Sequence, residues 1–222
     1  MSDTLLIAQN LSYARGDKPL VRDVSARIRK ASSTVIMGHN GAGKTLSLYM
    51  LHGLIAPDSG AIEVANGISQ KMVFEKPVLL RRAAGAHFAF ASGITDHDAT
   101  HYWFDKAGLR QKIGNYTRSL SSGEQQKLAL ISAIATKPDL LFLDEPTANL
   151  DSESRYEIEQ LITTAKQNGT SIIMITHLAS QAKRLADDIL FLHKGKVQDH
   201  VPASAFFSGK QSKEAAAFLA ER

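Results

Sequence analysis

One eight-residue segment constrains the fold of this 222-residue chain more than any other part. It runs Gly-His-Asn-Gly-Ala-Gly-Lys-Thr from Gly38 to Thr45 and matches G-x-x-x-x-G-K-[ST], the pattern of a phosphate-binding loop. The apolar run Ser33–Met37 before it predicts a strand, and the spacing of residues 44–54 after it predicts a helix. Because the motif requires this order of strand, loop and helix, we expect an α/β fold built around a P-loop.

The residue types in this loop suit phosphate chemistry. Glycines let the backbone curl so that its N–H groups face phosphate oxygens, and the start of the following helix adds its positive dipole end. Lys44 can reach the terminal phosphates of ATP, and the Thr45 hydroxyl can ligate Mg²⁺. The predicted phosphate-binding residues are Gly38, His39, Asn40, Gly41, Ala42, Gly43, Lys44 and Thr45.

A second signal is the apolar run 140–143, which ends in two adjacent carboxylates, Asp144 and Glu145. Side chains alternate across a strand, but the chain turns where a strand ends. Asp144 can therefore face Mg²⁺ while Glu145 faces a water beside the γ-phosphate. We expect Asp144 to be a metal ligand and Glu145 to be the general base.

The remaining pattern alternates between strands and helices. Runs at 4–11 and 20–28 predict an antiparallel pair, and a mainly helical stretch over 78–134 has the character of an insertion. Such alternation implies a parallel α/β core. The other predicted elements are strands at 61–64, 71–75, 140–143 and 171–175, a helix at 152–167, a hairpin of 189–192 with 196–200, and two short C-terminal helices.

Three further segments carry a family resemblance. Residues 120–126, Leu-Ser-Ser-Gly-Glu-Gln-Gln, resemble the LSGGQ signature of ATP-binding-cassette (ABC) ATPases. Residues 148–151, Ala-Asn-Leu-Asp, resemble the D-loop of that family, and His177 after the 172–175 strand resembles its switch histidine. With the P-loop these motifs are in the family's order, and the resemblance covers essentially the whole chain.

The resemblance implies an architecture and a catalytic assembly. The family fold is a RecA-like P-loop NTPase core with an antiparallel β subdomain and an inserted helical subdomain, here about 76–135 within a single domain of residues 1–222. The implied cofactors are ATP and Mg²⁺, and His177 joins Glu145 as a catalytic residue. Cassettes of this family pair head to tail, so the Ser121 hydroxyl and the Gly123 amide would serve the ATP held by a second copy.

Some positions depart from the family pattern. Glu75 stands where the family has a metal-sensing glutamine, Ser122 replaces the first signature glycine, and Leu46 follows the P-loop where Ser or Thr is usual. A carboxylate is a good ligand for a hard cation, so Glu75 joins Thr45 and Asp144 as a predicted metal residue. Either Arg15 or Tyr13 could stack on the adenine ring.

A narrower resemblance concerns the transport system. Residues 51–57 and 73–82 resemble the ATPase subunit of tungstate-type oxyanion importers. That likeness implies a separate transmembrane permease subunit, a solute-binding protein, and a location on the cytoplasmic face of the cell membrane. In this family, the start of the helical insertion receives a coupling helix of the permease.

Composition bears on the alternatives. The chain has no cysteine, so thiol redox chemistry and thiolate metal sites are excluded, and its net charge of +4 is too small to indicate a nucleic-acid partner. No apolar run reaches membrane-spanning length and residues 1–4 lack a basic signal-peptide start, which predicts a cytosolic chain, one that could still dock on a membrane protein. The competing hypotheses are a soluble ABC-type ATPase in a non-transport machine, and a small-molecule kinase, which leaves the signature and D-loop motifs unexplained.

Overall fold

The computed structural model describes residues 3–221; Met1, Ser2 and Arg222, the ends of the predicted domain, lie outside the described residues. The strands of the described part are β1 Thr4–Arg15, β2 Lys18–Arg29, β3 Ser33–Met37, β4 Ser59–Val64, β5 Gln70–Val73, β6 Leu140–Asp144, β7 Ser171–Ile175, β8 Asp188–His193 and β9 Lys196–Pro202. Its α-helices are α1 Lys44–His52, α2 Ala84–Ser92, α3 His97–Lys106, α4 Ser122–Ile134, α5 Ser152–Gln167, α6 Ala179–Leu185, α7 Ala203–Phe206 and α8 Lys213–Ala220. Short 3₁₀ turns cover Arg110–Lys112 and Thr117–Ser119.

The strands form two sheets. The larger has the order β5-β6-β7-β3-β8-β9, in which β5 to β8 are parallel and β9 is antiparallel to β8. The smaller is antiparallel, with the order β2-β1-β4. The predicted parallel core, N-terminal antiparallel pair and C-terminal hairpin are confirmed, and the structure adds β4 to the edge of the antiparallel pair.

Alternation along the buried strands fills two cores. Phe142 and Ile173 pack with apolar side chains of the smaller sheet and α1, whereas Leu141 and Leu143 pack with helices α2 to α5 on the other face. Successive side chains of a strand point to opposite faces, so a strand buried on both faces is apolar throughout. The larger sheet is therefore the middle layer of the molecule.

The register of the parallel strands brings three loops to one edge. Ile175 at the end of β7 pairs with Asp144 of β6 and with Ile36 of β3. The carboxyl ends of these three strands are consequently neighbours, as is usual at the ligand-binding edge of an open α/β sheet. The loop after β3 is the P-loop, the loop after β6 begins at Glu145, and the loop after β7 carries His177.

Several element boundaries differ from the prediction, and those near the predicted site matter most. The helix after the P-loop ends at His52 rather than 54, because Gly53 adopts a left-handed φ of 86° and caps it. The strand predicted over 71–75 ends at Val73, so Glu75 lies beyond it in a loop.

The helical insertion also begins later than predicted, at Ala84 rather than 78. The Leu80 N–H donates to His87 Nδ1 at 3.2 Å, and the Leu80 carbonyl accepts from the Thr117 hydroxyl at 2.7 Å. Because side chains occupy these backbone groups, this stretch does not build a helical hydrogen-bond ladder. The limits of 76–135 for a helical subdomain stay a prediction.

Candidate active site

The P-loop has the curled backbone that a phosphate cradle needs. Gly38, Gly41 and Gly43 have φ values of 146°, 77° and 95°, a range that side chains disfavour. Lys44 is buried, and its Nζ donates to the carbonyls of Gly38 at 3.0 Å and His39 at 3.1 Å. Its ammonium group therefore lies over the loop, at the start of α1, where phosphate oxygens are expected.

An open cleft of about 340 Å³ lies at this loop. Its walls combine P-loop residues with the carboxylate expected to act as general base, and they are Leu20, Asn40, Gly41, Gly43, Lys44, Thr45, Leu46 and Glu145. Gly38, His39 and Ala42 belong to the loop but do not line this cleft. The structure thus brings the predicted base to the same space as the predicted phosphate ligands.

A neighbouring cleft gathers the three predicted metal residues. Thr45, Glu75 and Asp144 line it together with Tyr49 and Phe74. The Thr45 hydroxyl lies 3.4 Å from Asp144 Oδ1, at the long limit of a hydrogen bond. Hydroxyl and carboxylate oxygens are the ligand atoms that Mg²⁺ prefers, so Thr45, Glu75 and Asp144 suit this ion.

Asp144 is almost fully buried, and burial raises the pKa of its carboxyl group. A hydrogen bond from Tyr49 opposes that rise in the Asp144 pKa, whereas the nearby charges of Glu145 and Glu75 add to it. Burial, reinforced by the Asp144 charge, raises the pKa of Tyr49 to about 12. Tyr49 therefore stays protonated near neutral pH, and its hydroxyl is available as a donor in the cleft that it shares with Asp144.

Sequence reasoning missed Tyr49. It lies one turn after Thr45 on α1, and residues four apart share one helix face. That spacing could have placed Tyr49 beside the metal residues once Thr45 was assigned. Its contact with Asp144, 95 positions further on, depends on the packing of α1 against the larger sheet.

Glu145 and His177 are in contact. His177 Nδ1 lies 3.1 Å from Glu145 Oε2, and both side chains are partly exposed. An ionised carboxylate only accepts, so Nδ1 carries the proton in this hydrogen bond. Glu145 has a left-handed φ of 44° at the end of β6, and it lines the P-loop cleft whereas Asp144 lines the metal cleft.

The predicted signature residues lie elsewhere. Ser121 caps α4 in a reciprocal capping box: its hydroxyl accepts from Glu124 N at 3.2 Å, and Glu124 Oε2 accepts from Ser121 N at 2.8 Å. Gly123 is buried, and a Cβ there would come within 3.0 Å of the Ser154 hydroxyl oxygen. Neither Ser121 nor Gly123 lines the clefts at Lys44 or Asp144 within the described chain.

The two adenine candidates differ in their surroundings. Tyr13 is partly buried and packs against the core between the two sheets, whereas Arg15 is exposed at the end of β1. Among the residues described, neither lines the P-loop cleft. The packing favours Arg15 as the side chain free to meet a ligand.

The comparison with protein families agrees with this site. A family model described as ABC transporter matches residues 21–148, more than half of the chain. This chain belongs to the ABC transporter family. As an ATP-binding member it is an ATPase, and ATP with Mg²⁺ is the family's usual substrate and cofactor.

Similar proteins from bacteria carry several transport names. The aliphatic sulfonates import ATP-binding protein SsuB 1 of Agrobacterium fabrum is 31% identical over 197 residues, covering 85% of this chain and 71% of that protein. The tungstate uptake system ATP-binding protein TupC of Peptoclostridium acidaminophilum is 32% identical over 215 residues, with 91% and 99% covered. The glutamine transport ATP-binding protein GlnQ of Bacillus subtilis is 27% identical over 236 residues, with 97% and 98% covered.

Solved structures show the same fold. An ATP-binding subunit of an ABC transporter superposes with a TM-score of 0.84 at 23% identity, covering 98% of each chain. The cbiO1 protein of Clostridium perfringens, described as part of the transporter complex cbiONQ, gives 0.82 at 23% identity, covering 100% of this chain and 96% of that one. The predicted fold class is confirmed for this ABC protein.

Proposed function

We propose that this ABC protein binds and hydrolyses ATP as the energising subunit of a membrane importer. One observation carries the hydrolytic part of this proposal: five side chains meet at the carboxyl edge of the larger sheet, namely Lys44, Thr45, Asp144, Glu145 and His177. Their spacing suits an in-line attack of water on a bound γ-phosphate.

Each side chain has a task in this proposal. Lys44 and the P-loop N–H groups bind the phosphates, while Thr45 and Asp144, with Glu75 beside them, hold Mg²⁺. Bound Mg²⁺ neutralises negative charge on the phosphate oxygens. Glu145 takes a proton from the attacking water, and the His177 Nδ1–H keeps the Glu145 carboxylate oriented.

The site is proposed to be completed by a second copy of the chain. Ser121 and Gly123 stand apart from the chain's own P-loop cleft, so their expected ATP contacts require another protomer. In such a pair, bound ATP joins the protomers and hydrolysis releases them, a two-state cycle that can drive an attached permease.

The names of the similar proteins support the proposed role in transport. Proteins with import or uptake names match this chain over most of its length. No helix in residues 3–221 is long and apolar enough to cross a membrane. On the strength of the relatives' names we propose a separate permease subunit as partner, a solute-binding protein in the same system, and a position on the cytoplasmic face of the membrane.

For the solute we propose an oxyanion such as tungstate or molybdate. The 32% identity to TupC supports this, and SsuB 1 is named for sulfonates, which also carry anionic oxygens, whereas GlnQ is named for glutamine. Uptake of tungstate and molybdate in a strain lacking this gene should fall. Normal uptake of both, with loss of another solute, would reject the oxyanion and leave the ATPase role standing.

Glu145→Gln tests the hydrolytic role. The change removes the basic carboxylate but keeps its size, so turnover should fall by about 10² to 10⁴ because general-base assistance is lost. ATP binding should survive, and light scattering should detect a dimer that accumulates with ATP and Mg²⁺. Glu153→Gln, an exposed carboxylate change on α5, is the matched control and should leave turnover unchanged.

Ser121→Arg, combined with Glu145→Gln, tests the second protomer. The long cation should crowd the γ-phosphate of the other copy and prevent the ATP-dependent dimer, while thermal unfolding reports whether the variant is folded. Near wild-type hydrolysis by Glu145→Gln would remove that residue from the mechanism. A folded, fully active Ser121→Arg single variant would remove the composite site.

A further inference from the structure

A buried polar network lies behind the Glu145–His177 pair. Gln181 is fully buried on α6, and its amide contacts the Thr147 hydroxyl, with Nε2 at 2.9 Å and Oε1 at 3.3 Å. The same Nε2 donates to Glu159 Oε1 of α5 at 3.1 Å. Three buried side chains from three different segments therefore meet at one amide.

The orientation of that amide is determined by its neighbours. Arg184 donates two hydrogen bonds, of 2.9 and 2.7 Å, to the Glu159 carboxylate, and the Glu159 side chain is only 5% exposed. A carboxylate accepts hydrogen bonds, so the NH₂ group of Gln181 must face Glu159. Gln181 thus has one orientation, and the position it gives to the Thr147 hydroxyl is fixed as well.

Thr147 belongs to the turn that directs Glu145. The turn is closed by Ala148 N–H donating to the Glu145 carbonyl at 3.0 Å, and Glu145 itself has a φ of 44°. A non-glycine residue in this region is strained and persists only where its surroundings hold it. The bond from Thr147 to Gln181 is a contact of this turn with the body of the protein.

Gln181 is also close to His177 along the chain. It lies in the first turn of α6, which begins at Ala179, two residues after the histidine. The Leu178 N–H donates to the Thr176 hydroxyl at 3.1 Å, so a local hydrogen bond shapes the short connection. One side chain therefore joins the segment that carries His177 to the turn that carries Glu145.

We propose that Gln181 is a positioning residue for hydrolysis: through Thr147 it holds Glu145 within hydrogen-bonding distance of His177. The inference rests on the proposed roles of Glu145 and His177. Gln181 and Thr147 are buried away from the clefts at Lys44 and Asp144, so neither is expected to touch ATP or Mg²⁺.

Two variants break the contact from opposite sides. Gln181→Met removes the amide and keeps the length of the side chain, and Thr147→Val removes the hydroxyl and keeps the branched shape. In the full-length protein each should lower kcat roughly ten- to hundredfold, because small misplacement of a catalytic group has effects of that size. KM for ATP should stay within about twofold, since ground-state binding is untouched. Thr147→Ser, which retains the hydroxyl, should restore kcat.

A double-mutant cycle separates positioning from general damage. In the His177→Ala background, Gln181→Met should cause little further loss of kcat, because the pair that it positions is already broken. If the kcat losses of Gln181→Met and His177→Ala multiply in the double variant, the proposal is overturned. A wild-type kcat in folded Thr147→Val would overturn it as well. Ser171→Ala is the control: it removes a buried hydroxyl that accepts from Ala31 N at 2.8 Å at the opposite end of β7, and should lower stability without lowering kcat.

The same measurements distinguish failure of the proposed hydrolytic chemistry from failure of the positioning role of Gln181. If Glu145→Gln and His177→Ala each retain wild-type turnover, the proposed chemistry fails. If those variants lose turnover while Gln181→Met and His177→Ala act independently, only the positioning role is overturned.

Discussion

Gly38→Ala is expected to damage the P-loop far more than the same change at Gly41. Both glycines have φ values that an L-residue avoids, 146° and 77°. The two positions differ in the room that each leaves for a Cβ atom. A Cβ at Gly38 would lie 2.2 Å from the Leu192 carbonyl oxygen in β8, whereas a Cβ at Gly41 meets nothing within 4 Å.

The magnitude follows from this geometry. A Cβ contact shorter than 3.0 Å essentially never occurs, and the atom in the way at Gly38 is backbone of a central strand, which cannot rotate aside. Holding a non-glycine residue at a disfavoured positive φ costs about 1–3 kcal/mol at either position. Overpacking adds about 1–3 kcal/mol at Gly38 alone. We therefore expect Gly38→Ala to destabilise the protein by about 2–6 kcal/mol and Gly41→Ala by about 1–3 kcal/mol.

Denaturant unfolding of both variants without nucleotide measures this difference directly, and binding of a fluorescent ATP analogue reports the state of the loop. Gly38→Ala should also bind the analogue more weakly, because relieving the contact moves the loop away from β8. Equal unfolding free energies for the two variants would refute the argument that the Leu192 carbonyl sets the requirement for glycine.

Two further predictions concern the metal cleft. Glu75→Gln should make ATPase activity less dependent on Mg²⁺ concentration, since a carboxylate near the γ-phosphate needs the cation to offset its charge; superimposable curves for wild type, Glu75→Gln and Glu75→Ala would show that Glu75 has no part in metal binding. Tyr49→Phe removes a hydrogen bond that lowers the pKa of Asp144, so Asp144 should become protonated at a higher pH and the acid limb of the activity profile should move upward. The exposed Tyr156→Phe is the control, and an acid limb that does not move in Tyr49→Phe would contradict this role.

Local patterns in the sequence were sufficient for the P-loop and for the strand that ends at Asp144. A glycine-rich loop between an apolar strand and a helix has few other uses, and a strand buried on both faces must be apolar throughout. The structure places both where these patterns predict, at neighbouring strand ends. The hairpin around Lys194 and Gly195 was also predicted from the sequence, and the structure gives both residues the positive φ values of a tight turn.

Contacts between distant segments depended on the tertiary structure. The sequence around Tyr49 places it on the helix face of Thr45 but does not pair it with Asp144, and nothing near Gln181 indicates Thr147, 34 positions earlier. Such pairs arise from the register of β3, β6 and β7 and from how helices pack on that sheet. The late start of α2 has the same origin, because the Leu80 backbone is bound by His87 and Thr117. Residue types and their local periodicity therefore determined the elements and the chemistry available, whereas sheet register and packing decided which side chains act together, because those distances are set by residues far apart in the chain.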